Sequence, residues 1–262
     1  MTEARTVWDP ALYERYKLYR DRPALDLLLR IPSDLDAREI WDLGCGTGEH
    51  AAILAARHPG ARVHGLDSSP EMLALARKRK AQVEWIEGDV NAFNPAVPAD
   101  LIFSNACLQW AAHHETLFPH LAGQLAPGGV FACQMPISFD TDWHRIMREV
   151  AAHGPWGERL RGVGRVRPTG SMSEYHDWLS PLCEDVDIWS TTYLHVLEGD
   201  DPVVEWMSGT GLRPYLQALD DEALHAAFLH AYRQKISDAF PKQPDGTTLF
   251  PFPRLFMVAR RR

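Results

Sequence analysis

The sequence predicts an α/β fold built on a mostly parallel sheet, and three observations carry that expectation. A strand, a glycine turn and a helix follow one another over residues 39–57. Short apolar strands and helices then alternate, with brief connections, as far as residue 136. Beyond residue 181, two stretches rich in β-branched and aromatic residues flank a helical segment. Counted together, these elements give seven strands and a Rossmann-like arrangement.

The first strand, Glu39–Leu43, ends in Gly44, Gly46 and Gly48, which let the backbone turn tightly and approach a ligand at distances a Cβ would block. A helix over Glu49–Arg57 and a strand over Arg62–Asp67 follow. Ser68-Ser69-Pro70 starts the next helix, with proline in the first turn and Glu71 near the positive end of the dipole, and that helix is expected to reach about Lys80. Strands are expected at Val83–Glu87 and at Asp100–Ala106, the latter almost continuously apolar, as a central parallel strand should be. A helix over Glu115–Leu125 stops at Pro127-Gly128-Gly129, and a strand follows at Val130–Met135. Residues 153–170 are rich in glycine, proline and arginine and read as a mobile loop or lid. A helix over Ser173–Leu179 precedes a strand over Val186–Val196; helices at Pro202–Met207 and Asp220–Phe240 come next. The last strand, Thr247–Arg260, contains Pro251 and Pro253, which limit its pairing at the start and suit an edge position or a bent beginning.

At 262 residues the chain suits one α/β domain with an elaboration. Apolar residues make up 45% and charged residues 24%, as in ordinary globular proteins. The net charge of −8 provides no field to attract nucleic acid or an anionic membrane surface. No signal peptide is legible at Met1–Pro10, and no apolar run reaches membrane-spanning length. The four cysteines (Cys45, Cys107, Cys133, Cys183) stand singly, which indicates neither a zinc site nor a disulfide framework and fits the cytoplasm. Among twelve histidines the His113-His114-Glu115 cluster invites a metal reading, but adjacent residues on a helix diverge, so these are expected to be surface polar groups. The nine tryptophans are expected mostly in the core.

What the glycine turn binds is decided by its neighbours. A Gly-x-Gly-x-x-Gly dinucleotide fingerprint starting at Gly44-x-Gly46 needs its third glycine at position 49, yet that residue is Glu49, a poor neighbour for pyrophosphate; a Gly-Lys-Ser/Thr is lacking too. Asp42, two residues before the first glycine, favours a cationic ligand. Asp67 stands at about the twenty-residue offset of a ribose-binding acid. A sulfonium, an amino-acid end and a ribose together describe S-adenosylmethionine.

The Asp42-x-Gly-x-Gly-x-Gly48 run with Asp67 resembles motif I of class I methyltransferases. Further stretches resemble the trans-aconitate methyltransferases: Trp8-Asp-Pro-Ala-Leu-Tyr13, Asp21-Arg-Pro-Ala-Leu-Asp-Leu-Leu28, Leu108-Gln-Trp110, Leu117-Phe-Pro-His-Leu121 and Gln134-Met-Pro136. In the second half they are Glu184–Tyr193, Thr210-Gly-Leu-Arg-Pro-Tyr215 and Phe252–Arg260. The resemblance covers nearly the whole chain, apart from residues 153–170. It implies a seven-stranded class I methyltransferase fold with an antiparallel last strand. It also implies an N-terminal helical cap at 1–30, a cofactor-binding core at 31–136, a lid with linking helices at 137–181, and the last strands at 182–262. A helical insertion at 201–240 is expected over the substrate site.

By position, the resemblance puts Gly44, Cys45, Gly46 and Gly48 against the methionine and ribose portions, with Asp42 near the amino group. Asp67, with Ser68 beside it, accepts the ribose hydroxyls, and Asp89 accepts the adenine amino group between Met72 and Val90. Asn105, Leu108 and Trp110 line the methionine end. The plain reading of Asp89 is a turn residue in Gly88-Asp-Val-Asn91. The implied reaction is esterification of a small polycarboxylate, which needs no general base because carboxylates are ionised at neutral pH. Arginine forks match carboxylates, so Arg20, Arg22, Arg213 and Arg254 are the candidate clamps, with Arg213 favoured, and Tyr16, Tyr19 and Trp110 shape the pocket. A monomer or weak homodimer without metal is expected. Another small or carrier-bound acid, or binding of the cofactor without catalysis, are the alternative readings.

Overall fold

A computed structural model describes residues 17–164 and 169–262. Seven strands form one sheet: β1 (Glu39–Leu43), β2 (Arg62–Asp67), β3 (Glu84–Glu87), β4 (Ala99–Asn105), β5 (Leu125–Pro136), β6 (Cys183–Leu197) and β7 (Thr248–Arg261). Their order is β3-β2-β1-β4-β5-β7-β6. The first five pair in parallel, and β7 runs antiparallel to β5 from Val130↔Arg260 to Pro136↔Arg254. The chain leaves β1 for β2 on one side and returns to β4 on the other. The carboxyl ends of β1 and β4 therefore flank the switch point where open α/β sheets take ligands.

The helices are α1 (Lys17–Arg30), α2 (Glu49–Arg57), α3 (Pro70–Ala76), α4 (His114–Gly123), α5 (Asp142–Ala152), α6 (Met172–Leu179), α7 (Pro202–Ser208), α8 (Arg213–Gln217) and α9 (Glu222–Ala239). Local chemistry starts several of them. Ser69 Oγ accepts from the Met72 N–H with Pro70 in the first turn of α3, Ser171 and Glu174 form a capping box on α6, and Asp221 caps α9.

The chain gathers into two compact units. One comprises residues 20–137, 169–191 and 254–262 and holds β1–β5 with the adjoining parts of β6 and β7. On one sheet face Phe131, Cys133, Met135, Leu255 and Met257 pack with Phe118 and Leu121 of α4 and Tyr175 of α6. On the opposite face the His50 ring of α2 lies 5.9 Å from that of Phe103. The other unit comprises residues 17–19, 138–164 and 192–253 and is rich in aromatic packing. Its core joins Trp143, Trp156, Trp206, Phe228, Tyr232, Phe250 and Phe252, which accounts for three of the nine tryptophans. The segment expected at 137–181 thus divides between the two units.

Several expectations are corrected. The α3 helix ends at Ala76 rather than near Lys80, because Lys78 and Arg79 donate to carbonyls three residues back and the turn tightens. Pro127-Gly128-Gly129 lies inside β5 rather than before it. The ladder slips between Ala99 and Leu101, and a Cβ on Gly129 would lie 2.8 Å from the Ala99 carbonyl oxygen, so a bulge forms there. The β7 strand is interior to the sheet, not an edge; Pro251 and Pro253 precede its ladder with β5, which begins at Arg254. The α5 helix was not anticipated, although Trp143, Ile146, Met147 and Val150 keep helical spacing and are all buried. Within the expected mobile loop, Trp156 and Leu160 are buried in the core and Trp156 Nε1 donates to the Val150 carbonyl at 2.8 Å.

Candidate cofactor and substrate site

Gly44, Gly46 and Gly48 all take positive φ, at 72°, 54° and 80°. At two of them space as well as angle demands glycine. A Cβ on Gly44 would sit 2.1 Å from Cys107 Sγ, and one on Gly48 would sit 2.4 Å from the Trp85 ring. Gly46 differs: nothing lies within 4 Å of its would-be Cβ, so the middle of the turn faces open space. The turn is held from below by Leu66, whose carbonyl accepts from the Gly44 and Cys45 N–H groups at 2.8 and 3.0 Å.

The Gly46 N–H donates to Asp67 Oδ2 at 2.8 Å, and the Ser69 N–H donates to Oδ1 at 2.9 Å. A carboxylate has about four acceptor sites. Each Asp67 oxygen therefore keeps capacity for one more donor, which is what a vicinal pair of hydroxyls requires. Asp42 is 1% exposed; the Ala51 N–H at the start of α2 bonds its carboxylate, while Oδ2 has no hydrogen-bond partner. Burial raises its pKa to about 7, and the charges of Asp67 and Glu49 add to the rise. A buried acid with an unmet oxygen beside two further acids fits a cation and repels a phosphate. Glu49 is itself engaged: Arg79 donates to its carboxylate and to the Thr47 carbonyl, tying the turn to the end of α3.

Other expected cofactor residues are placed as follows. Cys45 is a buried thiol whose pKa is driven up by desolvation; its carbonyl accepts from the Gly48 N–H at 2.9 Å within the turn. Ser68 is exposed, and Met72 and Val90 are half-buried. Asp89 is exposed and caps the short 3-10 turn Val90–Ala92, its Oδ1 accepting from the Asn91 backbone and side chain at 2.9 and 2.7 Å. The turn role was the plain alternative, and both bonds use one oxygen. Leu108 is fully buried in the core, and Trp110 is 68% exposed. Asn105 ends β4, and its side-chain oxygen is buried without a partner.

The expected substrate residues divide. Arg254 is only 5% exposed, at the carboxyl end of β5 opposite Pro136, whereas the favoured Arg213 is exposed at the start of α8. On α1, Arg20 is half-buried and Arg22 exposed. Tyr19 lies in the other unit, where its hydroxyl donates to the Val196 carbonyl at 2.7 Å and its ring stands 4.6 Å from that of His195. Tyr16 lies outside the described residues.

The chain's similarity to known proteins agrees with this geometry. Residues 40–129 match a family described as a methyltransferase domain. The trans-aconitate 2-methyltransferase of Azoarcus sp. (strain BH72) is 49% identical over 97% of this chain and 99% of its own length. That of Methylobacterium nodulans is also 49% identical, over 97% of this chain and 98% of the relative. The chain belongs to the trans-aconitate 2-methyltransferase family. Its fold is that of class I methyltransferases. The solved phosphoethanolamine N-methyltransferase 2 of Haemonchus contortus, in complex with S-adenosyl-L-methionine, superposes with a TM-score of 0.56 at 16% identity, over 98% of this chain and 59% of that one.

Two features escaped the reading of the sequence, and one residue was misplaced by it. The misplaced residue is His114, expected at the surface. It is buried, with Tyr175 Oη and the Leu108 carbonyl at 2.7 and 2.8 Å from its ring nitrogens, and burial lowers its pKa. Among the described residues no group of three or more metal-ligating side chains occurs. No described helix is long and apolar enough to cross a membrane. Arg148 of the second unit was missed. Its Nη1 is buried without a partner, its guanidinium lies 4.0 Å from the Phe139 ring centre, and it lines a cavity of about 420 Å³ with Pro155, Leu160 and Arg161. Gln134 is fully buried on β5, and its one signal in the sequence is a polar residue inside Val130-Phe-Ala-Cys-Gln-Met135, otherwise an apolar strand.

Proposed function

We propose that this chain transfers the methyl group of S-adenosylmethionine to a carboxylate of trans-aconitate, giving the monomethyl ester and S-adenosylhomocysteine. The observation that carries the cofactor is the Gly46–Asp67 clasp beside the buried Asp42. The acceptor follows from relatives of that name at 49% identity over nearly the whole chain.

The acidic turn with its open middle fits a ligand bearing a ribose and positive charge. Asp67 would take the ribose hydroxyls and Asp42 the charged methionine end, with Asp89, Val90 and Met72 around the adenine and Asn105 and Trp110 toward the sulfur. When bound, the cofactor supplies an electrophilic methyl carbon on a sulfonium. The acid needs no base, since it reaches the site already ionised. What the chain contributes is position: holding an acceptor at near-attack geometry can supply on the order of 7–11 kcal/mol of a barrier. Arg254 is the leading clamp for the unreactive carboxylates, because a buried guanidinium binds them in low dielectric; Arg20 and Arg22 of the same unit are the further candidates. With a net charge of −8, the reading is of a small acid rather than a polyanion, handled in the cytoplasm by a monomer or weak homodimer.

Labelled methyl transfer across a set of di- and tricarboxylic acids tests this. Base-labile label on trans-aconitate above all other acids is expected. Turnover on a different acid would reassign the acceptor, and cofactor binding with no transfer to any acid would remove the catalytic reading.

A further inference from the structure

Gln134 is fully buried, and neither its Oε1 nor its Nε2 has a hydrogen-bond partner. Leaving a buried polar group unmet costs its full desolvation penalty, so a native chain that keeps two such atoms in one side chain has a use for them. The register says where they are. Gln134 pairs with Asn105 on β4 and with Phe256 on β7, and paired residues project from the same face of a sheet. Asn105 shares the anomaly, its Oδ1 being buried without a partner. Arg254, paired with Pro136, lies on that same face one step nearer the carboxyl end of β5. Two carboxamides and a buried arginine thus stand in a row across β4, β5 and β7, at the sheet edge where α/β ligands bind.

We infer that the carboxamides of Gln134 and Asn105 hold the carboxylate that becomes methylated, an assignment that rests on the function proposed above. One oxygen of that carboxylate forms the bond to the methyl carbon as the carbon–sulfur bond breaks. The bonding pair stays on sulfur, no proton moves, and a cation and an anion become two neutral products. A charged donor on the reacting carboxylate would hold back the electron density that must attack. A neutral N–H, a weaker donor than a charged one, orients the group and withholds less. The strong charge-assisted grip of Arg254 then belongs on a carboxylate that does not react. The same dry setting favours a step that consumes charge.

The test is Gln134→Met, which removes both polar atoms at similar volume. Its melting temperature should equal or exceed that of the wild type, and its cofactor affinity by calorimetry should stay within twofold. Its kcat/KM for trans-aconitate should fall at least 20-fold. Gln134→Glu, which sets a negative charge against the acid, should fall further, and Gln134→Asn should lie between Met and the wild type. Gln134→Met with kcat/KM within twofold overturns the assignment, as does a fall in activity matched by a fall in melting temperature, the mark of a structural role. If the wild type itself transfers no methyl to any acid, the proposed function fails and takes this assignment with it. A fully active Gln134→Met beside an active wild type removes this assignment alone.

Discussion

The Gly46 N–H and the Asp67 carboxylate meet across 2.8 Å, joining the glycine turn after β1 to the end of β2. One contact therefore shapes the loop and aims the acid at the same time. Asp67→Ala loses the clasp, the Ser69 bond and the expected ribose acceptor. With hydrogen bonds to charged groups worth about 1.5–3 kcal/mol each, cofactor binding should weaken by roughly 30-fold or more. Isothermal calorimetry reads this directly, and an affinity within threefold of the wild type would detach Asp67 from the site.

Two glycines of one turn should fail in different ways. Gly44→Ala places a methyl 2.1 Å from Cys107 Sγ at a φ of 72°, so it should lower global stability by about 2 kcal/mol or more. Gly46→Ala meets nothing within 4 Å and bears only the left-handed backbone cost of roughly 1–2 kcal/mol, yet its methyl enters the space left open to the ligand. Thermal melts should separate the pair, and cofactor titration should show Gly46→Ala as the weaker binder of the folded variants.

Asp42 makes both stability and binding depend on pH. Its folded pKa of about 7 lies above the ordinary carboxylate value, so the native state holds a proton the unfolded chain has released. Stability from this group is full below about pH 4 and is lost as pH rises to 7. Relative to Asp42→Asn, the wild type should lose up to about 4 kcal/mol across that window and nothing more above it. Denaturant melts of both proteins from pH 4 to 8 give the difference. A cationic ligand favours the ionised form, so cofactor binding at pH 7 should release protons and tighten toward pH 8. Calorimetry in buffers of unlike ionisation enthalpy detects the release, and identical heats would count against it.

Arg79 ties Thr47 and Glu49 to the end of α3 and offsets a negative charge at the head of α2. Arg79→Met should loosen the turn and remove one cationic partner of Glu49 near Asp42. Cofactor affinity should fall by about 3- to 30-fold, with a stability loss near 1 kcal/mol because the pair is partly exposed. The double variant Arg79→Met/Glu49→Gln should recover part of the loss, and a cycle showing no coupling would mean the pair contributes nothing.

The sequence by itself determined the strand–turn–helix unit, the identity of its acids and the order of the seven strands along the chain. Those features are local: glycine spacing, apolar runs and capping residues act within a few positions, so they are legible before any folding partner is known. Tertiary structure alone decided which polar groups end up dry. Leu108 and His114 look like ligand-side or surface residues until Tyr175 of α6 meets the His114 ring and that ring meets the Leu108 carbonyl. Arg213 and Arg254 sit in similar aromatic runs, yet one lies exposed at a helix start and the other buried on an interior strand. Gln134 reads as one polar residue in an apolar strand, and only pairing with Asn105 and Phe256 turns it into a row of unmet amides at the sheet edge. Burial and register depend on residues far apart in the chain, and the chemistry of this site depends on both.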